Sequence, residues 1–135
     1  DSSRVVPLWI RGALHNEPLV VYGPEKKLDF TYLDDAVDGI RRALERFDAA
    51  RGKPINISSG TSVEIVSVAR MLRELTGSAS EIMIKPTRAG EVWTYQADLS
   101  RAKQLLNYVP TIDVECGLQR SVDWYKTHLP THDDD

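Results

Sequence analysis

The chain has 135 residues, a formal charge of −3 and a single cysteine. A chain of this length folds as one domain at most, and buries on the order of 65–70% of the surface it exposes when unfolded. The mildly negative charge gives no reason to expect a nucleic acid or a membrane as partner, so an anionic ligand would need a local cluster of Arg and Lys. The lone Cys116 excludes an internal disulfide. Because neither a membrane span nor a signal peptide is recognisable, we expect a cytoplasmic protein.

The first 24 residues predict a helix followed by a short strand. Apolar residues recur at helical spacing through Val6–Leu14, and Asn16-Glu17-Pro18 marks the end of that helix. The β-forming residues Leu19–Val21 then predict a strand, which the turn signal Gly23-Pro24 terminates.

A second extended segment and a long helix are predicted next. An extended pattern covers Phe30–Leu33, after which Asp34 or Asp35 is expected to cap the helix by accepting its free amide hydrogens. The helix should bury one stripe of apolar residues, because these recur every three or four positions: Ala36, Val37, Ile40, Ala43, Leu44 and Phe47.

The middle of the chain predicts a strand, a helix and another strand. Apolar Ile55 and Ile57 alternate with polar Asn56 and Ser58, as is typical of a half-buried strand. Helical spacing of apolar residues over Ile65–Leu75 predicts a helix that Gly77 ends in the C-terminal capping position. The pair Ile82 and Ile84 predicts a strand that Pro86 terminates.

The last third predicts a loop from Thr87 to Trp93, two capped helices and a polar tail. Asp98 and Asp113 are expected to cap the two helices, and Cys116 is expected to be a buried core thiol of the second one. We therefore predict an α/β chain in which residues 1–130 are folded and residues 131–135 form a disordered tail. The tail histidines and Asp34-Asp35 have no spacing that predicts a metal site.

Four segments carry short motifs in a fixed order along the chain: Arg4–Pro7; Val20–Gly23 with Asp29–Asp35; Ile55–Gly60; and Arg88–Glu91 with Ala97–Ala102 and Val122–Tyr125. In their order and spacing they resemble the carboxyl-terminal portion of the extended short-chain dehydrogenase/reductases that act on nucleotide sugars. These are the NAD-dependent epimerases, dehydratases and decarboxylases of nucleoside-diphosphate sugars. The resemblance implies a small substrate-binding lobe, together with a strand and a helix that complete the Rossmann domain of a longer parent enzyme.

The motifs that hold the cofactor and perform catalysis in this family are missing from the chain. No glycine-rich turn of the form G-x-x-G-x-x-G or G-x-G-x-x-G occurs. Tyr22 and Lys26 have the family's Tyr-x-x-x-Lys spacing, but Gly23-Pro24 between them breaks the helix that would align the pair. The resemblance therefore implies that NAD(P) is bound by an amino-terminal Rossmann half of the parent. No residue of this chain is therefore assigned to catalysis, to cofactor binding or to a metal.

The strongest candidates for substrate binding are Arg88 and Glu91 in the segment Arg-x-Gly-Glu. It resembles the family's Arg-x-Gly-Asp loop, in which the Arg binds phosphate and the acid contacts the ribose. Glu in place of Asp lengthens the acid by one methylene group. The alternative is a surface turn with an ion pair three residues apart, which contributes little to stability.

Other candidates follow from the same resemblance. The family's phosphate-binding Arg before the Asp-Phe pair is replaced by Leu28, so Lys26 or Lys27 could supply the charge; both could equally be solvated turn residues. Val21 and Tyr22 correspond to the strand end whose backbone meets the nucleotide base, and ordinary β packing is their alternative role. The remaining pair, Arg4 and Val5, matches the start of the helix that approaches the diphosphate.

The function implied by the resemblance is binding of a nucleoside-diphosphate sugar, UDP- or dTDP-linked, in a parent enzyme that is a homo-oligomer. The alternatives are a non-catalytic scaffold for protein association and a free-standing α/β binding module. Without the cofactor half, the apolar faces of Ile55–Ser58 and of the helix at Asp35–Phe47 would lack a partner. We therefore expect the isolated chain to self-associate, to swap elements or to pair with its missing half.

Overall fold

The computed structural model describes residues 4–128, which form six helices and four short strands. Their bounds, in chain order, are α1 Val5–Leu14, β1 Leu19–Tyr22, β2 Lys27–Asp29, α2 Leu33–Glu45, α3 Phe47–Ala50, β3 Ser62–Glu64, α4 Ile65–Thr76, β4 Ile82–Lys85, α5 Ser100–Leu106 and α6 Val114–His128. The tail predicted at residues 131–135 lies outside the described residues. The α/β class is confirmed.

The described residues divide into two compact units. The first comprises residues 4–25, 65–91 and 118–128, and the second comprises residues 26–64 and 92–117. Each unit contains one two-stranded sheet: β1 with β4 in the first, and β2 with β3 in the second.

The first unit packs helices α1 and α4 beside a parallel strand pair. Strand β1 pairs with β4 so that Leu19 faces Ile82 and Tyr22 faces Lys85. The Trp9 indole donates a hydrogen bond to the Val20 carbonyl at 3.2 Å, which ties α1 to β1. The core consists of apolar residues from α1, β1 and α4: Trp9, Ile10, Ala13, Leu19, Val21, Ile65, Val66, Val68, Ala69 and Leu72.

The local signals for this unit are confirmed. Helix α1 covers the predicted apolar stripe and ends before Asn16, which takes a left-handed φ of 57°. Helix α4 buries the predicted face, and Gly77 follows it with φ 65°, a conformation that costs glycine no Cβ strain. Strand β4 ends at Lys85, directly before Pro86.

The second unit is built around a small core next to an antiparallel strand pair. In the sheet, Lys27 of β2 faces Glu64 of β3. The core contains Ala102, Leu106 and Tyr108, against which apolar residues of α2, α3 and the following loop pack. The Tyr108 hydroxyl donates to the Ser58 carbonyl at 2.9 Å. Burial, followed by the negative charges of three nearby aspartates, raises the pKa of Tyr108 to about 12.

Two strand predictions in this unit are wrong. The second strand is Lys27–Asp29 rather than Phe30–Leu33, and Leu33 already belongs to α2. Residues Ile55–Ile57 form no strand; instead Ile55 and Ile57 pack against the core around Tyr108. Alternation of apolar residues predicts an extended segment, but a strand also needs a neighbouring segment to bond with, and within residues 4–128 this segment is paired with none.

The capping prediction for α2 is also wrong. Tyr32 is the N-cap residue and makes no side-chain capping bond, while Asp34 and Asp35 lie in the first turn. The buried Asp35 carboxylate instead accepts hydrogen bonds at 3.0 Å from the backbone amides of Thr111 and Ile112 and from the Thr111 hydroxyl. Asp35 therefore joins α2 to the loop before α6.

The predicted buried stripe of α2 is largely exposed. Val37, Ile40 and Leu44 are 54%, 59% and 69% exposed, and Phe47 of α3 is 57% exposed. The helix buries Asp35 and Gly39 instead. Its apolar periodicity is real, but the described residues contain nothing that covers that face.

The cap of the last helix is confirmed, whereas the prediction for Cys116 is wrong. Asp113 accepts the Cys116 amide at 2.8 Å. In α5 the N-cap residue is Leu99 rather than Asp98, although the Asp98 carboxylate accepts the amide of Ser100, the first helical residue, at 2.8 Å. The Cys116 side chain is exposed, although Leu118 and Val122 of the same helix are buried. The position of Cys116 near an apolar stripe in the sequence does not identify the face of α6 on which its side chain lies.

Candidate functional site

A cluster of polar side chains lies at the carboxyl end of the parallel strand pair in the first unit. Tyr22 is the last residue of β1 and Lys85 the last residue of β4, and the two are partners in the register. The Gly23 amide donates to the Lys85 carbonyl at 2.9 Å, and Gly23 turns the chain away with φ 65°. Ligands of parallel α/β sheets bind beyond this edge, so its side chains are the natural candidates for a binding site.

Arg88 packs on the Tyr22 ring at this edge. Its guanidinium carbon lies 3.8 Å from the ring centroid, and the Lys85 ammonium nitrogen lies 5.8 Å from the same centroid. A hydrogen bond with Arg88, followed by the positive charge of Lys85, lowers the pKa of the Tyr22 phenol. The ring contact holds the flexible Arg88 side chain at this edge, where it remains exposed.

A tight turn places Glu91 next to Arg88. The Glu91 amide donates to the Arg88 carbonyl at 3.3 Å, and the Arg88 amide donates to the Glu91 carboxylate at 3.4 Å. Gly90 within the turn has φ 83°, which a residue with a side chain rarely adopts. A carboxylate and a guanidinium thus lie in one turn after strand β4.

The structure brings together some of the residues that the sequence selected. Tyr22, Arg88 and Glu91 share the edge described above. Val21 is fully buried as a whole residue, at 0% exposure, and pairs with Ile84 in the sheet, so it offers no exposed surface to a ligand. Arg4 and Val5 lie at the start of α1 in the same unit, where Arg4 is the exposed N-cap residue.

The two lysines of the turn belong to the second unit. Lys26 is only 8% exposed, so its interpretation as a solvated turn residue is wrong. Lys27 is exposed, and its backbone bonds to the segment after the Arg88 turn: its amide donates to Trp93, and its carbonyl accepts the Tyr95 amide at 2.8 Å.

Sequence reasoning did not single out two residues that take part in these contacts. Lys85, beside Tyr22, is one of them, and its signal in the sequence is a cation at the last position before Pro86. Asp29 is the other, and in the sequence it stands out only as part of the Asp-Phe pair. Its carboxylate accepts the amide and hydroxyl of Ser59, at 3.0 and 2.5 Å, the Gly60 amide at 3.0 Å and the Ala97 amide at 3.1 Å.

The hydrogen bonds to Asp29 control its ionisation. Desolvation alone would raise its pKa, but the donors outweigh that effect and lower the pKa. The main donors are the Ser59 hydroxyl, the Ala97 amide and Ser58. Asp29 is therefore an ionised carboxylate that holds the loop after Ser58 and the segment before α5 to strand β2.

The second unit also contains a pocket of about 240 Å³. It lies between the loop before β3 and the loop before α6, and is lined by Ser59, Thr61, Val63, Pro110, Thr111, Ile112, Asp113 and Val114. Its lining is mainly apolar, and the Asp113 carboxylate is engaged by the Cys116 amide. Within residues 4–128 no group of three or more His, Cys, Asp and Glu side chains is arranged to hold a metal ion.

A parallel strand pair flanked by helices, with charged side chains at its carboxyl edge, is typical of nucleotide-binding α/β proteins. Comparison with known proteins narrows this class. The family model described as the NAD dependent epimerase/dehydratase family matches residues 1–58. The UDP-N-acetyl-alpha-D-glucosaminuronate decarboxylase of Bacillus cytotoxicus is 31% identical over 90% of this chain, and UDP-glucuronic acid decarboxylase 1 of Xenopus tropicalis is 29% identical over 96% of it.

Two solved structures are also similar to this chain. UDP-glucuronic acid 4-epimerase from Bacillus cereus, in complex with UDP-glucuronic acid and NAD, superposes on 93% of this chain with a TM-score of 0.86 and 30% identity. The epimerase Mth375 of Methanothermobacter thermautotrophicus superposes on 94% of it with a TM-score of 0.88 and 26% identity. Over most of its length the chain resembles the carboxyl-terminal portion of the extended short-chain dehydrogenase/reductases, the NAD-dependent nucleotide-sugar epimerases and dehydratases.

The chain spans only part of these relatives. It covers 40% of the length of the B. cytotoxicus enzyme, 30% of the X. tropicalis enzyme and 40% of the B. cereus structure. Among the helices within residues 4–128, none combines the length and the apolar character that crossing a bilayer requires.

Proposed function

We propose that this chain is the nucleotide-sugar-binding part of an NAD-dependent epimerase, dehydratase or decarboxylase. The observation that carries the proposal is the meeting of Tyr22, Arg88 and Glu91 at the carboxyl edge of a parallel strand pair. A guanidinium held on an aromatic ring suits a phosphate oxygen, because its N–H donors form a planar fork. The Glu91 carboxylate is an acceptor for ribose hydroxyl groups, and the partly exposed strand end at Tyr22 is the place for the base.

A uridine nucleotide is the substrate class that the comparisons support. The two relatives named above are decarboxylases of UDP-linked sugars, and the B. cereus UDP-glucuronic acid 4-epimerase holds UDP-glucuronic acid itself. We propose the same class for this chain, with dTDP-linked sugars as the alternative to be tested. Whether the parent reaction is epimerisation, dehydration or decarboxylation depends on residues near the nicotinamide.

The nicotinamide cofactor is proposed to bind to an amino-terminal part of the parent enzyme. Several of the solved relatives contain NAD. A dinucleotide pyrophosphate needs a glycine-rich turn between a strand and a helix. Within residues 4–128, β2 connects to α2 through Phe30-Thr31-Tyr32, β3 runs directly into α4, and the connection from β4 to α5 has Gly90 as its only glycine. None of these strand-to-helix junctions offers such a turn. The residues of this chain therefore do not fit the cofactor, and no step is assigned to them through it.

The decisive experiment is isothermal titration of the intact protein with UDP-glucuronic acid and with a dTDP-sugar. We expect Arg88→Ala to weaken binding of UDP-glucuronic acid by roughly 10- to 100-fold, as for loss of a charge-assisted hydrogen bond. Arg70→Ala is the matched control, since Arg70 is exposed on α4 of the same unit and should leave the affinity unchanged. Equal affinities for wild type and Arg88→Ala would remove Arg88 from the site, and absence of saturable binding by wild type would overturn the proposal.

A second candidate function is protein association by a non-catalytic relative. The exposed apolar face of α2 favours it, because large apolar side chains that remain uncovered are typical of interaction surfaces. The titration above distinguishes the two, since a scaffold has no reason to bind a nucleotide sugar saturably. The sequence that precedes Asp1 in the parent distinguishes them too: a glycine-rich turn and a helical Tyr-x-x-x-Lys would favour the enzyme.

A further inference from the structure

A second cation lies beside Tyr22 in addition to Arg88. Lys85 is the last residue of β4, the register partner of Tyr22, and its carbonyl accepts the Gly23 amide at 2.9 Å. Its backbone is thereby held by the sheet, while its side chain is exposed at the edge where ligands of parallel sheets bind.

The two cations surround one aromatic ring. The Lys85 ammonium nitrogen is 5.8 Å from the centroid of the Tyr22 ring, and the Arg88 guanidinium carbon is 3.8 Å from it. A multiply charged anion bound at this ring would interact favourably with both positive charges. The ring attracts both cations and so keeps them at this edge without neutralising either.

We propose that Lys85 and Arg88 form a two-cation clamp for the diphosphate of the substrate, which makes Lys85 an additional substrate-binding residue. This proposal rests on the proposed function and adds a residue to its site. Arg88 supplies a planar fork for one phosphate, and Lys85 supplies a compact point charge for the other. Lys85 adds a second positive charge at the strand edge that already holds Arg88.

The sugar is the other possible source of negative charge, since a glycuronic acid carries a carboxylate. The diphosphate is common to UDP, UDP-glucose and UDP-glucuronic acid, whereas the carboxylate is present only in the last of these. Comparison of the three ligands therefore identifies which anion Lys85 contacts.

The test is isothermal titration of the intact protein and its Lys85→Gln variant with UDP, UDP-glucose and UDP-glucuronic acid, at low and at moderate salt. We expect Lys85→Gln to weaken the binding of all three ligands by roughly fivefold to tenfold and to reduce the salt dependence of the affinity. Lys85→Arg should restore most of the affinity. Lys126→Gln, on an exposed residue of α6 in the same unit, is the matched control and should change nothing.

The other possible results distinguish the role of Lys85 from the proposed function on which it rests. A loss confined to UDP-glucuronic acid would overturn the diphosphate clamp in favour of a carboxylate contact. Unchanged affinities with Lys85→Gln, combined with a loss in Arg88→Ala, would overturn the role of Lys85 and leave the proposed function standing. If wild type bound none of the three ligands, both proposals would be wrong. Thermal unfolding of each variant would verify that the fold is intact, as expected for changes at exposed side chains.

Discussion

The Asp29 carboxylate organises the second unit because four donors from two distant segments converge on it. They are the amide and hydroxyl of Ser59 and the amides of Gly60 and Ala97. A carboxylate can accept all four, since each oxygen has two acceptor sites. An amide side chain of the same shape can accept on one oxygen only, and presents a donor where the other oxygen was.

We therefore expect Asp29→Asn to lower the free energy of unfolding of the protein by about 1–3 kcal/mol, the range for leaving buried donors without an acceptor. Urea denaturation followed by circular dichroism measures this. Asp38→Asn is the control: Asp38 pairs with Arg41 and Arg42 on the exposed side of α2, so its loss should cost less. Equal costs for the two variants would contradict the assignment of Asp29 as an organising residue.

The same carboxylate predicts a pH dependence of stability. The pKa of Asp29 is lower in the folded state than in the unfolded chain, so its contribution is fully present above the unfolded value of about 4. It is lost as the pH falls through the lower, folded pKa. Wild type should therefore lose stability more steeply than Asp29→Asn below about pH 4. Parallel slopes for the two proteins over this range would show that Asp29 is not perturbed.

Helix α2 shows how a single close contact can override helix propensity. A Cβ atom on Gly39 would lie 2.4 Å from Cγ2 of Ile57 and 2.9 Å from its Cδ1. Real Cβ atoms do not approach carbon so closely, so either the helix or the loop that carries Ile57 would have to move. Glycine is therefore required at this position for packing, although alanine favours a helix.

We expect Gly39→Ala to destabilise the protein by about 1–3 kcal/mol, as is typical of overpacking in a core, despite its gain in propensity. Gly12→Ala in α1 is the matched control. Its nearest contact is the flexible end of Leu19 at 3.3 Å, so its cost should be smaller. In the double variant Gly39→Ala, Ile57→Ala, the two costs should be less than additive, because the truncated side chain makes room for the new methyl group. Strict additivity in chemical denaturation would contradict the proposed contact.

The exposed apolar face of α2 and α3 has consequences for the whole molecule. Leu33, Val37, Ile40, Leu44 and Phe47 are each more than half exposed. Side chains of this size gain about 1.5–3 kcal/mol each on full burial, so a surface of several of them favours association.

We expect the 135-residue chain on its own to self-associate in sedimentation velocity, and the double substitution Val37→Asp, Ile40→Asp to reduce that association without unfolding the chain. Arg41→Asp, on a neighbouring exposed position, controls for the added charge. A compact monomer for the wild-type chain at all concentrations, with slow amide exchange across Ile55–Ser58, would contradict this prediction.

Local residue order was sufficient to predict α1, α4 and β4, the left-handed Gly77, and the acceptors Asp98 and Asp113. Each of these depends on neighbours within about one helical turn or one strand, so the signal is contained in a short stretch. The family was also recognisable, because four motifs kept their order and spacing. The same motifs selected Tyr22, Arg88 and Glu91, whose role in substrate binding stays a prediction.

Tertiary packing decided the rest. Asp35 is predicted to cap α2, but its carboxylate accepts the Thr111 amide instead. The segment Ile55–Ile57 is predicted as a strand, but its apolar side chains pack on a core. The apolar stripe of α2 is predicted to be buried, but it is exposed. Lys85 joined Tyr22 and Arg88 only because β1 and β4 pair in parallel. Residue types specify which groups can bond or be buried, but the partner that each one meets is set by contacts between segments far apart in the chain.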